Sequence, residues 1–378
     1  MKSIGVLGST GSVGSQTLQV IGAYREDFEL VGIVARRASE RLLYQAREFR
    51  PRYVVSFEEP SKEWLSLLPP ETTYLKGMEG LVSVIENSQT VVNAISGTDG
   101  ILPTYLTLLM GKKLLASNKE SLICLRELVQ EKRELIVPVD SEHNALFQLL
   151  SVVQREHVKK IYLTASGGPF RNKTIEELKE VRVEDALKHP TWKMGAKITV
   201  DSATLMNKGM EIIEAINLFD IPLESVDVVV HPQSVVHGIV ELKDGSFLIH
   251  ASQTDMRIPI LHSLYYPERK AFPFETKSLL DLSPLSFEPL DSEKFRSVSL
   301  CKWVALMGGI YPAVLVGADQ IATELFLDGK IGFLDIVELV EEVLSSVNLP
   351  DPKNIDEVLQ AIEWAYRKGR ELAGVHEL

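Results

Sequence analysis

The strongest constraint on this chain is an alternation in its first 140 residues. Short β-rich runs at 4–7, 30–34, 53–55, 91–94, 114–116 and 135–137 are separated mostly by stretches with helical periodicity. Leu42, Ala46 and Phe49 fall at helical spacing, and so do Leu102, Leu106 and Leu109. Strands that alternate with helices build βαβ units and a parallel sheet, because a parallel pair needs a crossover connection. The chain therefore reads as α/β, opening with a Rossmann-like doubly wound parallel sheet.

The rest of the chain has a different texture. Residues 142–265 carry polar, glycine-bearing loops between short strands, with 226–230, 236–242 and 247–249 as strand candidates. The last two are joined by Lys243-Asp244-Gly245-Ser246, a hairpin turn signal. This reads as an α+β region. Four prolines at 267, 273, 284 and 289 suggest a linker over 266–291. Long helical patterns follow, including Ile336, Leu339, Val340 and Val343, then Ile355, Val358, Leu359, Ile362 and Ala365. They predict a C-terminal helical bundle over 292–378.

Composition narrows the function classes. A length of 378 residues allows two or three domains. The chain has 40 basic against 52 acidic residues, a formal net charge of −12. That excludes a general nucleic-acid binder but permits a local basic patch for a small anion. Hydrophobic residues make up 45%, which excludes disorder. Two cysteines, Cys124 and Cys301, make no disulfide framework and favour a reducing compartment. The apolar stretch near the N-terminus is too short for a signal-peptide core, and the run 303–318 is broken by Gly308, Gly309 and Pro312. A soluble cytoplasmic protein without membrane partners is expected.

Gly8, Gly11 and Gly14 form G-x-x-G-x-x-G between the first strand and the first helix. Such a turn brings backbone amides and a helix N-terminus to a pyrophosphate; its alternative is a turn that is glycine-rich for packing alone. Ser9, Thr10 and Ser12 add hydroxyl donors. The second strand ends in Arg36-Arg37 and not in the acidic residue that binds the ribose of NAD. Two guanidinium groups suit a 2′-phosphate, so NADPH is favoured, against two merely solvated arginines.

Asp140-Ser141-Glu142 follows the sixth strand. In an extended segment the two carboxylates point the same way and can share a cation; equally, the segment reads as a helix capping box. Asp201-Ser202-Ala203-Thr204 predicts a helix N-cap, followed by apolar stripes Leu205/Ile212/Ile216/Phe219 and Met206/Met210/Ile213. A helix apolar on so much of its surface is largely buried. Asn207 and Glu211 share one face, with Lys208 beside them. Either Lys208 and Glu211 pair with each other, or Glu211 takes a metal while Asn207 and Lys208 take a phosphate. Asp140, Glu142 and Glu211 make an all-oxygen set, suited to Mg²⁺ or Mn²⁺ and not Zn²⁺. The loop Ser166-Gly167-Gly168 could offer amides to a phosphate, and the stretch from His189 to Gly195, around Trp192, reads as either a lid or ordinary surface.

These motifs together resemble one family. GSTGSVG, ASNKES, DSEHNALFQ, SGGPFR, HPTWKMGAKITVDSATLMNKGMEIIEA and HPQSVVHG, in this order, are similar to the motifs of 1-deoxy-D-xylulose 5-phosphate reductoisomerases. The likeness is strong to about residue 265. It implies a homodimer with an NADPH domain (1–141), a catalytic domain with a mobile loop at 186–196, and a helical C-terminus. It implies Asp140, Glu142 and Glu211 as metal ligands, for Mg²⁺ or Mn²⁺ with Co²⁺ as an alternative. Ser166, Ser202, Asn207 and Lys208 would surround the phosphate of the sugar substrate. Lys119 and Ser141 would contact substrate oxygens, and Lys119 would assist the chemistry. His189, Trp192 and Met194 would lie over substrate. Thr10, Gly11, Ser12, Val13, Arg36, Arg37, Asn118, Glu120 and Gly195 would serve NADPH. The implied reaction is a metal-assisted rearrangement of 1-deoxy-D-xylulose 5-phosphate, followed by reduction to 2-C-methyl-D-erythritol 4-phosphate.

Two segments depart from the family pattern. After the second strand the family commonly has Gly, a basic residue and Asn, where this chain has Arg36-Arg37-Ala38. After Pro312 it has AVLVGADQ in place of an Asn-Ala-Ala-Asn-Glu-like run, a change expected to affect packing more than chemistry. Two rivals remain. A semialdehyde dehydrogenase needs a cysteine nucleophile, but both cysteines read as core residues. A non-catalytic NADPH sensor needs an output surface, and the acidic balance offers none for DNA.

Overall fold

The structure is a computed structural model and describes residues 1–188, 192, 195–282 and 284–375. Contacts group the chain into two compact units. The first comprises Met1–Ser121, Glu127–Asn144 and Asp255–Thr276; the second comprises Leu122–Arg126, Ala145–Thr254 and Lys277–Leu378.

The first unit is built on seven strands: β1 (Lys2–Leu7), β2 (Phe28–Ala35), β3 (Tyr53–Ser56), β4 (Thr73–Lys76), β5 (Thr90–Asn93), β6 (Lys113–Ala116) and β7 (Ile136–Pro138). They pair in the order β4-β3-β2-β1-β5-β6-β7, every pair parallel. Continuous apolar runs such as Leu30–Ala35 are buried throughout, as expected where helices cover both faces of a sheet. Leu7, Val34, Val55, Leu81, Val84, Ile85 and Val91 form one packed cluster. The sequence pattern predicts six of the strands. It misses β4, a four-residue edge strand with exposed ends and no fully buried residue.

One helical face also differs from expectation. Helix Ile101–Leu109 buries Ile101, Thr104 and Leu108, while Leu109 is exposed. The segment is apolar on nearly every side, so spacing alone could not select its inner face. Helix Arg257–Tyr265 belongs to this unit as well and packs on helix Ser12–Ala23. Ser263 donates to the Pro138 carbonyl at 2.9 Å.

The second unit holds a mixed five-stranded sheet: β8 (Val158–Ala165), β9 (Val226–Val230), β10 (Val236–Leu242), β11 (Phe247–Ala251) and β12 (Glu288–Pro289), in the order β11-β10-β8-β9-β12. Only β8 and β9 run parallel. The predicted hairpin turn is present, with Gly245 at φ +88°. Helices Arg296–Met307, Tyr311–Leu327, Asp335–Ser345 and Ile355–Leu372 complete the unit, and Ile336, Leu339, Val340 and Val343 are buried as their spacing requires. Among the described residues no helix is long and apolar enough to cross a membrane.

Candidate active site

In the first unit the glycine loop leaves the end of β1, which lies between β2 and β5 at the point where the strand order reverses. The amides of Gly8 and Ser9 both donate to the Val34 carbonyl, at 2.8 and 3.0 Å, and tie the loop to the end of β2. Gly8 holds φ +78°. A Cβ on Gly14 would stand 2.2 Å from the Gly8 carbonyl oxygen, so helix Ser12–Ala23 can start this close to β1 only with glycine there. Gly11 and Ser12 are exposed, and Thr10 and Val13 half-buried. Ser9 is no ligand donor, against expectation: it is fully buried and its hydroxyl donates to Gln45 at 2.8 Å.

Arg36 and Arg37 stand exposed after β2 and share one carboxylate. Glu58 Oε1 lies 3.1 Å from Arg37 Nε and 3.9 Å from Arg36 Nε. Asn118 is buried, and its side chain serves the backbone. It donates to the carbonyls of Ile95 (2.9 Å) and Gly97 (2.8 Å) and accepts from the Ser121 amide (2.9 Å). Glu120 is buried too.

Asp140 follows β7 and caps a helix. Its Oδ1 accepts from the Glu142 amide at 3.2 Å, and its carbonyl from the Asn144 amide at 2.8 Å. Asp140 and Glu142 are thus held by a helix start, not by an extended segment; the capping reading holds because Ser141–Leu150 is helical. Lys119, 7% exposed, places Nζ 3.4 Å from Asp140 Oδ2. Ser141 donates to Glu142. The sequence reading missed His143, whose fully buried ring puts Nδ1 3.3 Å from Asp140 Oδ1. Its place three residues after Asp140, one helical turn on, was the available signal.

In the second unit the segment around 196–219 is two helices, Ala196–Ala203 and Met206–Phe219, and not one. Asp201 and Ser202 lie in the last turn of the first helix, so they do not cap the second as predicted. Leu205 forms the joint at φ +58°, and Thr204 Oγ1 accepts from the Met206 amide at 3.3 Å. The second helix is buried nearly all round, as its two apolar stripes predict.

Lys208 and Glu211 are buried at 3% and 1% exposure and form an ion pair. Asn207 Nδ2 donates to Glu211 Oε1 at 2.6 Å. Ser166 opens a turn in which Gly167 and Gly168 hold φ +82° and +67°. A Cβ on Gly168 would stand 2.8 Å from the Ser202 carbonyl oxygen, so this turn packs on the helix end that carries Ser202. The fold thus brings Ser166 and Ser202 into one neighbourhood, and Asn207, Lys208 and Glu211 into another along one helix. Gly195 precedes helix Ala196–Ala203 as its N-cap. The Trp192 ring lies 6.4 Å from that of His237, a residue the sequence reading did not single out. His189 and Met194 lie outside the described residues.

Cys301 offers no nucleophile on this geometry. Cys301 is fully buried, and burial together with the Asp319 and Asp201 charges pushes its thiol pKa well up.

The comparisons with known proteins agree with this layout. The model of 1-deoxy-D-xylulose 5-phosphate reductoisomerase matches residues 4–125, and two models of that enzyme's C-terminal domain match 136–219 and 251–368. The 1-deoxy-D-xylulose 5-phosphate reductoisomerase of Aquifex aeolicus is 61% identical over 98% of this chain and 97% of its own. The chain belongs to the 1-deoxy-D-xylulose 5-phosphate reductoisomerase family. The Thermomicrobium roseum relative is 44% identical over 98% of this chain and 97% of its own. Among solved structures, the reductoisomerase of Zymomonas mobilis in complex with NADPH matches with TM-score 0.90 at 37% identity, over 98% of this chain and 99% of that one. A reductoisomerase in complex with NADPH, fosmidomycin and magnesium matches with TM-score 0.91 at 33% identity, over 99% of both chains.

Proposed function

We infer that the chain carries out its family's reaction. It is an NADPH-dependent oxidoreductase that, with a divalent cation, rearranges and reduces 1-deoxy-D-xylulose 5-phosphate to 2-C-methyl-D-erythritol 4-phosphate. The observation that carries this reading is the 61% identity over nearly the whole chain. The residue roles below are our own assignment.

The glycine loop supports a dinucleotide: Gly8 and Gly14, where a Cβ would meet backbone, let the loop and the helix start lie close to the sheet end. Gly11, Ser12 and Val13 would present amides to the pyrophosphate, with Thr10 beside them, and Arg36 and Arg37 would bind the 2′-phosphate. Asn118 would act by holding the loops after β5 and β6, given its backbone bonds, and by resemblance Glu120 and Gly195 would serve NADPH. The donor set supports a hard cation. By the family resemblance Asp140, Glu142 and Glu211 are the all-oxygen set we assign to it.

When bound, NADPH supplies the hydride and the cation supplies Lewis acidity toward the substrate oxygens. The protein's part is placement. Ser166, Ser202, Asn207 and Lys208 would hold the substrate phosphate, and binding energy gathered there positions the reacting end. Buried Lys208, paired with Glu211 in this structure, would bring counter-charge for a dianion once Glu211 is taken by the cation. Ser141 would orient a substrate hydroxyl. Lys119, its ammonium held beside Asp140, would donate a hydrogen bond to the oxygen on which negative charge develops. Trp192, with His189 and Met194 by resemblance, would cover the substrate and exclude water.

We also propose the three functional domains of the sequence reading, a homodimer and a reducing, cytoplasmic location. Two cysteines that make no disulfide framework support the last. Exposed Phe247 and Ile249 on edge strand β11, and Leu279 and Leu280 at 80% and 84% exposure, support the dimer.

The test is NADPH oxidation by the purified protein with 1-deoxy-D-xylulose 5-phosphate and Mg²⁺. Turnover is expected, lost on chelation and restored by Mg²⁺ or Mn²⁺. Glu211→Gln should abolish turnover while NADPH still binds. Near-normal activity of that variant removes Glu211 from the metal set.

A further inference from the structure

A buried charge cluster outside the assigned site ties the C-terminal helices to the helix that carries Ser202. Lys197 and Asp201 lie one turn apart in helix Ala196–Ala203, with Lys197 Nζ 2.6 Å from Asp201 Oδ2. The same ammonium lies 2.5 Å from Oδ2 of Asp319, in helix Tyr311–Leu327. One turn further along that helix, Thr323 donates to Asp201 Oδ1 at 3.3 Å. Two residues of the C-terminal helix therefore grip two residues of the Ser202 helix.

The cluster is enclosed. The Asp319 side chain is fully buried, Asp201 is 6% exposed and Lys197 27%. A buried carboxylate is costly unless it is paired, so Asp319 holds Lys197 and is held by it. Neighbouring contacts fix the same joint. Ser297 donates to the Thr204 carbonyl at 2.6 Å. A Cβ on Gly209 would stand 2.6 Å from Cys301 Sγ, so the start of helix Met206–Phe219 is packed directly on helix Arg296–Met307. Leu205, in the joint between helices Ala196–Ala203 and Met206–Phe219, keeps a left-handed φ of +58°, a conformation that survives only where the surroundings over-determine it.

We propose that Asp319 is a positioning residue for the substrate phosphate: through Lys197 it sets the pose of helix Ala196–Ala203, and so of Ser202 and the turn leading to Asn207 and Lys208. Asp319 lies in the AVLVGADQ run that departs from the family pattern, which gives that departure a role in substrate binding. The proposal rests on the assignment of Ser202, Asn207 and Lys208 to the phosphate.

The experiment compares full-length Asp319→Ala, Asp319→Asn and Lys208→Met in steady state, with NADPH affinity read by fluorescence and unfolding read in parallel. Asp319→Ala should raise KM for the phosphorylated sugar about 10-fold, with kcat within about 2-fold and NADPH affinity unchanged. Asp319→Asn should recover most of the KM, because its amide oxygen still accepts from Lys197. If the alanine variant does not fold, Asp319→Ser replaces it with the same expectations. An unchanged KM, or a parallel loss of kcat, KM and NADPH affinity, overturns the proposal. Identical behaviour of the alanine and asparagine variants does so too, since the bond to Lys197 is then not the agent. An unchanged KM in Lys208→Met overturns the phosphate assignment itself, a separate failure.

Discussion

Lys119 Nζ lies 3.4 Å from Asp140 Oδ2, both side chains being largely buried. The two come from the ends of neighbouring parallel strands: Lys119 follows β6 and Asp140 follows β7. The facing carboxylate offsets part of the cost of burying the ammonium. Replacing Lys119 with Met should lower kcat about 100-fold or more, the usual loss for one donor aimed at developing charge, and leave NADPH affinity unchanged. Lys119→Arg should recover only part, since a planar fork does not reproduce a point donor. Steady-state kinetics with an NADPH titration check this, and a kcat close to the parent's would remove Lys119 from the chemistry.

On our assignment, Arg36 and Arg37 would supply the preference for the phosphorylated dinucleotide. The double variant Arg36→Ala, Arg37→Ala should weaken NADPH binding by about 10- to 100-fold, from charge-assisted bonds of about 1.5–3 kcal/mol. NADH binding should change little. Calorimetric titration of both nucleotides separates the cases: equal losses for the two would mean that the arginines act on the fold and not on the 2′-phosphate.

Gly14 is a packing requirement as well as a motif position. With a Cβ 2.2 Å from the Gly8 carbonyl oxygen and 2.7 Å from Ser9 Cα, Gly14→Ala must shift backbone. We expect destabilisation of about 1–3 kcal/mol together with lost NADPH affinity. Gly11→Ala, whose Cβ would meet the Gly8 oxygen at 3.3 Å, should cost less. Thermal unfolding of the two variants gives the comparison, and equal stability would contradict the geometry.

His231 links the fold to pH. It is fully buried, Nδ1 donates to the Ser286 carbonyl at 2.8 Å, and the ring stacks on Phe287. Burial lowers its pKa below the usual value and outweighs the Ser286 bond. The unfolded chain then takes up a proton, near pH 6.5, that the folded chain refuses until lower pH. The stability from neutral His231 is therefore present above about pH 6.5 and lost as pH falls through the lower folded value. His231→Asn keeps a donor near Ser286 and removes the titration. Its unfolding midpoint should fall less steeply than the parent's below about pH 6.5. Parallel curves would exclude His231 as the source.

Much of this protein was legible in its sequence because the relevant physics is local. The period of the apolar pattern gave the parallel sheet, and the order strand, glycine loop, helix gave the dinucleotide cradle. A 14-residue helix with apolar residues on two stripes had to be buried, and so it drew attention to Asn207, Lys208 and Glu211. Oxygen-rich acids without a His/Cys pattern pointed to a hard cation.

What only the tertiary structure decided were pairings between residues far apart in the chain. Spacing could not say that Asp140 caps a helix while facing Lys119, that Ser9 turns inward to Gln45, or that Asn118 serves backbone carbonyls. Nor could it show the break at Leu205, because a left-handed residue without glycine leaves no local signature. The Asp319–Lys197 pair spans 122 residues of sequence. Its energy depends on both groups being withdrawn from water together, a condition set by the packing of whole helices and invisible in either segment alone.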